Sequence, residues 1–301
     1  METLRRVPRL SVLAAAACTL LALSSAGRAQ SLQSTLEQFS ATDVKGYVQP
    51  MADLFGANMN AGIFHSAEIG KMGFHLSLDI VGMAAMVGDN QKTYTVNAPP
   101  GFNPASFQTA TMFGGKGGVV TDAGTGFTYR GSDGFVSTTV VPLAAPQLTI
   151  GDVFGTRAVI RFITTPAVSN FPKATLWGIG AQHSISQYLP MVPLNVAAHI
   201  FVNKFTFGDL IDFSGTSIGI DASKSFSILN LFGGVAWEKS SMEAKYTPTN
   251  TAFAPVDITM TGANNFRATI GLGLHIVFFS IFADANFGSI TNFSAGIGFG
   301  G

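Results

Sequence analysis

The sequence predicts an all-β fold: a transmembrane, antiparallel β-barrel of the outer-membrane type, with about 12 strands (10 to 14) and a short N-terminal helical segment ahead of them. Three observations predict it. Charged residues make up only 11% of the chain, against roughly a quarter in soluble domains. Mean hydropathy is positive at +0.35, yet beyond the N-terminal region no apolar run reaches the roughly 18 residues that a spanning helix needs. Stretches of period two recur along the chain, with apolar residues on one face and polar or small ones on the other. Apolar chains without apolar helices suit a bilayer only as closed sheets, because every backbone N–H and C=O must find a partner there.

Residues 1–29 read as a signal peptide. Arg5, Arg6 and Arg9 precede the apolar stretch Leu10 to Leu23, and Gly27-Arg28-Ala29 supplies the small-x-small cleavage pattern. The stretch is short for a retained anchor. Lipidation of Cys18 after Ala15-Ala16-Ala17 would leave Leu20 to Leu23 stranded in the mature chain. Cleavage removes that single cysteine, and with it any disulfide or thiolate metal site. It leaves 13 basic and 16 acidic residues, a net charge of −3 without a basic stripe, so no nucleic-acid partner is expected. His65, His75, His183, His199 and His275 have no metal-ligand spacing, so neither a metal nor a cofactor is expected.

Residues 30–70 form the helical segment. From Asp43 the apolar residues Val44, Tyr47, Val48, Met51 and Phe55 fall at helical spacing, Pro50 kinks or restarts the helix, and Gly56 is a suitable stop. Two positions are open to it: a periplasmic helix leading into the barrel, or a plug inside the lumen.

Residues 71–301 form the barrel. Phe74, Leu76, Leu78 and Ile80 oppose His75, Ser77, Asp79 and Val81; Leu194, Val196, Ala198, Ile200 and Val202 oppose Asn195, Ala197, His199, Phe201 and Asn203. Phe266, Ala268, Ile270, Leu272 and Leu274 oppose Arg267, Thr269, Gly271, Gly273 and His275, while Arg157 and Arg161 share a face against Ala158, Ile160 and Phe162. Ionisable groups keep to the mixed faces, Lys204 at a strand end being the nearest exception. That segregation fits lipid contact, where an outward Arg or Lys costs about 2–4 kcal/mol at mid-bilayer, and disfavours a soluble β-sandwich. At the end of the chain Ile281, Ala283, Ala285 and Phe287 oppose Phe282, Asp284 and Asn286. After a turn at Gly288 to Thr291, Phe293, Ala295, Ile297 and Phe299 oppose Ser294, Gly296, Gly298 and Gly300. Asn97 to Val141 and residues 247–256, rich in Gly, Pro and Thr, read as long loops; Gly114-Gly115-Lys116-Gly117-Gly118 lacks the Lys-Ser/Thr pair of a phosphate loop.

On this reading His75, Asp79, Arg157, Arg161, Asn195, His199, Asn203, Arg267, His275 and Asp284 line the lumen, either as a salt-bridged scaffold or as a polar constriction on a permeation path. The expected partners are outer-membrane lipid, the barrel-assembly machinery and a small-molecule substrate, hydrophobic in view of the 26 phenylalanines. A passive channel or transporter leads, followed by a structural or surface-interaction barrel. A lipid hydrolase on His183-Ser184 comes last, because adjacent strand residues point to opposite faces. No catalytic residue is expected.

Several stretches resemble an uncharacterised family of bacterial outer-membrane β-barrel proteins. They are Tyr47-Val48-Gln49-Pro50, Leu54 to Gly62, Phe64-His65-Ser66-Ala67, the strand from Gly73-Phe74 to Leu78, Phe282 to Gly288, and Ala295 to Phe299. The resemblance implies the barrel and no active site. A helical segment before a Phe-rich barrel is also loosely similar to the long-chain fatty-acid transporter class.

Overall fold

A computed structural model describes residues 41–167, 172–189, 192–246 and 256–300. The signal segment and nearly all of the 247–256 loop lie outside the described residues. Helix α1 (Ala41–Met59) precedes β1 (Met72–Met86). Four short strands follow: β2 (Thr93–Asn97), β3 (Ser106–Ala110), β4 (Val119–Thr121) and β5 (Thr128–Arg130). The long strands are β6 (Val140–Val153), β7 (Thr156–Thr165), β8 (Ala174–Ser184), β9 (Asn195–Phe207), β10 (Ile211–Phe226) and β11 (Leu229–Tyr246). The chain closes with β12 (Val256–Thr261), β13 (Phe266–Ile276), β14 (Phe279–Phe287) and β15 (Asn292–Gly300).

Among the described residues ten strands close a ring: each long strand pairs antiparallel with the next, β1 pairs with β15, and β10 with β11 completes the circuit. Strand β12 continues the line of β13 along the same edge of β11, after a break at Gly262 to Asn265. Ten is the lower end of the expected range. The sequence estimate of 12 assumed 18 to 20 residues per strand and connection. In fact β10 and β11 run 16 and 18 residues, and the segment after β1 forms a cap of two hairpins, β2–β3 and β4–β5. Part of Asn97 to Val141, expected as loop, is therefore strand.

One end of the ring carries short turns between β6 and β7, β10 and β11, and β13 and β14, along with the longer β8–β9 connection; the other carries the cap. In bacterial barrels short turns face the periplasm and long loops the exterior. The outward face alternates as the sequence implies. Ile80, Ile160, Ile200, Ile218, Ile270 and Ile297 point out at mid-strand, each more than a third exposed. Aromatics bracket them. Phe74, Phe226, Phe279 and Phe299 stand at the short-turn end; Phe162, Trp177, Trp237, Phe266, Phe287 and Phe293 stand toward the loop end. Phe279 and Phe287, at the two ends of β14, are roughly 26 Å apart along the strand, close to the apolar band height of about 25 Å in membrane barrels. No described helix is long and apolar enough to cross a membrane, and the strands cross instead.

Candidate functional site: a lumen filled by the N-terminal segment

Helix α1 lies inside the ring. Val44, Tyr47, Val48, Ala52, Leu54, Phe55, Ala57 and Met59 are all buried; Asp53 and Asn58 are buried too, so every residue from Ala52 to Met59 is enclosed, while Lys45 near the start is exposed. The helix continues through Gly56 to Met59 rather than stopping at it. The glycine serves packing: a Cβ there would fall 2.2 Å from Ser240 Oγ on β11. In the loop-end half the wall answers with apolar side chains, Met83, Leu143, Phe213, Met242 and Met260 among them. The ring of Phe55 lies 4.7 Å from Phe205 and 4.6 Å from Phe213. The cap closes over this end, with Met112 N donating to Tyr47 O at 3.0 Å and Tyr47 OH donating to Asp133 O at 3.0 Å.

At mid-lumen the wall turns polar, because a helix C-terminus leaves carbonyls without intrahelical partners. Two buried arginines on β7 and β13 take them. Arg161 donates from Nη2 to Ala61 O at 2.9 Å and also to Gly62 O, and from Nε to Gln147 Oε1 at 2.8 Å. Arg267 donates from Nη2 to Ala57 O at 2.6 Å and from Nε to Glu238 Oε1 at 2.7 Å. Cations at this end also oppose the negative pole of the helix. Asparagines complete the lock: Asn292 Nδ2 donates to Asn58 Oδ1 at 2.7 Å, and Asn203 Nδ2 to Asn60 Oδ1 at 2.8 Å. Asp284 accepts from Ser294 Oγ at 2.6 Å and from Asn286. Asp79, fully buried, accepts from Ser77 Oγ at 3.3 Å.

Below the lock, toward the short turns, the lumen opens into a chamber of about 440 Å³. Its polar lining includes His65, His75, Arg157 and His275, and its apolar lining includes Phe64 and Phe282. His65 stacks on Phe282 at 4.1 Å. Arg157 is held by Asp152 at 2.9 Å and donates to Glu68 O at 2.9 Å.

Nine of the ten lumen residues read from the sequence thus fall in two layers. Asp79, Arg161, His199, Asn203, Arg267 and Asp284 surround the end of the plug; His75, Arg157 and His275 line the chamber. Asn195 stands apart at the first position of β9. The helix residues Val44, Tyr47, Val48 and Phe55 are buried in the plug, with Met51 half-buried beside them. His183 and Ser184 do not meet: His183 is bonded to Thr156 Oγ1 and Ser184 to Ser186. The sequence reading missed Glu238, Gln147, Ser217, Asp221 and, in the lock, Asn58, Asn60 and Asn292. Glu238 and Asp221 carried a period-two signal, since Trp237 and Ile220 beside them point outward. The asparagines had none, because their partners lie more than a hundred residues away.

A family model covers residues 7–301, nearly the whole chain. The protein belongs to DUF6588, a family of unknown function. No curated protein matches it. Among solved structures this DUF6588 chain is similar to the outer-membrane protease OmpT of Escherichia coli, at 9% identity over 78% of this chain and 100% of that one, with a TM-score of 0.33. It is also similar to the transport unit of the E. coli autotransporter AIDA-I, at 10% identity over 83% and 98%, TM-score 0.35. The third is a Pseudomonas aeruginosa FadL homologue, at 9% identity over 85% and 97%, TM-score 0.23. These are outer-membrane barrels of different activities, and at such similarity none lends its activity to this chain.

Proposed function

We propose that this protein is exported by a signal peptide cleaved after Ala29 and serves in the outer membrane as a transporter for small, partly hydrophobic molecules, shut by its own N-terminal segment. The observation that carries the reading is the chamber beneath the plug. Its volume lies in the range of small-molecule sites, roughly 300–1,000 Å³, and its lining mixes Phe64 and Phe282 with imidazoles and a guanidinium. A filled loop-end half argues against a permanently open pore, so passage requires α1 to move. The transport itself needs no covalent chemistry. Since the mature chain has no cysteine, Asn58→Cys with Asn292→Cys places a single thiol pair at the lock. A short thiol crosslinker there should abolish solute uptake by proteoliposomes, and reversing the link should restore it. No uptake and no bilayer conductance in either state would overturn the reading.

A structural or surface-interaction barrel is the second reading, and the ordered cap of β2 to β5 docked on α1 favours it. Deleting residues 97–141 should then remove partner binding and leave a heat-modifiable barrel.

A further inference from the structure

One cluster in the lumen is used by neither the lock nor the transport reading. Ser217, Gly219 and Asp221 point inward from β10, and His199 points inward from β9 directly opposite Gly219 in the register. With no side chain at Gly219, the imidazole lies across the gap; a Cβ there would be 2.8 Å from His199 Cε1. His199 Nδ1 lies 2.7 Å from Asp221 Oδ2, and His199 Nε2 lies 3.4 Å from Ser217 Oγ. Gln182 Nε2 donates to Asp221 Oδ2 at 2.8 Å and fixes the carboxylate. This is the order of a serine hydrolase relay: hydroxyl, imidazole and acid, with the acid on the nitrogen remote from the hydroxyl.

The surroundings supply two further needs of that chemistry. Ser217, His199 and Asp221 line one small cavity of about 30 Å³, together with Asn60 and Phe64. The Asn60 carboxamide is oriented by Asn203, which donates to its Oδ1, so its Nδ2 faces Thr216 O, next to Ser217, at 3.4 Å. Asn60 lines the same cavity as Ser217, which puts an amide donor within the space where an oxyanion would form. Ile63 and Phe64 line both this cavity and the 440 Å³ chamber. The Phe64 ring, 5.0 Å from the His199 ring, is the partition between them.

We propose that Ser217, His199 and Asp221 form a hydrolytic site for small carboxylic esters that enter through the chamber once Phe64 swings aside. Ser217 Oγ attacks the ester carbonyl while His199 Nε2 takes the hydroxyl proton, and Asn60 Nδ2 bonds the oxyanion. On collapse the proton passes from His199 to the departing alkoxide, releasing the alcohol and leaving an acyl-serine. Water then attacks that acyl group, giving its proton to His199, and collapse returns it to Ser217 Oγ and frees the acid. The proposal goes beyond transport and shares with it the chamber as a way in and the Asn60–Asn203 pair of the lock.

The test uses the refolded full-length mature barrel in detergent, with an alkyl fluorophosphonate probe and p-nitrophenyl butyrate. Mass mapping should place the phosphonyl adduct on the peptide holding Ser217, and Phe64→Ala should speed labelling and ester hydrolysis at least tenfold. Ser217→Ala and His199→Gln should lose both signals, and Ser184→Ala should keep them. Labelling elsewhere than Ser217, or none in heat-modifiable wild-type and Phe64→Ala barrels, would overturn the proposal. The crosslinking experiment at Asn58 and Asn292 reads solute passage alone, so the two ideas can fail separately.

Discussion

Arg267 gives the sharpest test of how the plug is held. Its guanidinium is buried to 5% exposure against a Glu238 side chain at 1%, and it also donates to Ala57 O at the end of α1. Arg267→Ala would strand an ionised carboxylate and a helix carbonyl in the same dry layer. Removing one partner of a buried pair costs about 3–5 kcal/mol, and an orphaned carbonyl about 1–3 kcal/mol. The lower figure alone shifts the folding equilibrium by more than about a hundredfold. The assay is equilibrium urea unfolding in lipid vesicles, read by the two tryptophans, Trp177 and Trp237, both of which face outward. The double variant Arg267→Met with Glu238→Gln removes both charges and keeps a side chain for Asn264, which donates to Glu238 at 2.9 Å. It should recover at least about 2 kcal/mol relative to the sum of the single changes, the size expected of directly coupled neighbours. A single-variant cost below about 1 kcal/mol, or additive single changes, would refute the claim that this pair clamps the helix end.

Three other outcomes follow from the architecture. Ile270→Arg, at the middle of the outward face of β13 and 65% exposed, should cost about 2–4 kcal/mol in vesicles; Phe127→Arg on the cap should cost less than about 0.5 kcal/mol. Gly62 has φ +60°, and a Cβ there would meet Val81 Cγ1 at 2.8 Å; Gly62→Ala should therefore destabilise by about 1–3 kcal/mol in the same titration. The cap should also respond to acid. Asp122 accepts from Thr125 Oγ1, Thr125 N and Asn103 N, and these bonds pull its carboxyl down to about 2. A depressed folded value means the cap gains from the ionised form above the ordinary carboxylate range and loses that gain as pH falls from about 4 toward 2. Hydrogen-exchange protection factors at the Asn103 and Thr125 amides, falling across that window in wild type and already low in Asp122→Ala, check the sign.

The wall was legible in the sequence because lipid contact imposes a local rule. Ile270 and Arg267 differ in face by a period of two that needs no partner to be seen. Strand number was less legible, since the cap strands β2 to β5 have the composition of loops and the longest ring strands exceed the bilayer's requirement. The interior resisted for a different reason. Asn58 meets Asn292, and Asn60 meets Asn203, through register set by the whole ring, and no local pattern records that. Gly56 shows the limit most plainly. Local chemistry reads it as a helix stop, whereas the fold uses it to bring the helix backbone close to Ser240.

The course of α1 restricts how the plug could ever leave. Its first turns sit beneath the cap, and the chain then descends the axis to begin β1 at the opposite rim. A rod threaded lengthwise through a sealed cylinder has no sideways exit, so any unblocking must be a slide along the bore. The dozen residues from Asn60 to Lys71 act as a leash of about 40 Å at full stretch, and its length sets the limit of any such slide.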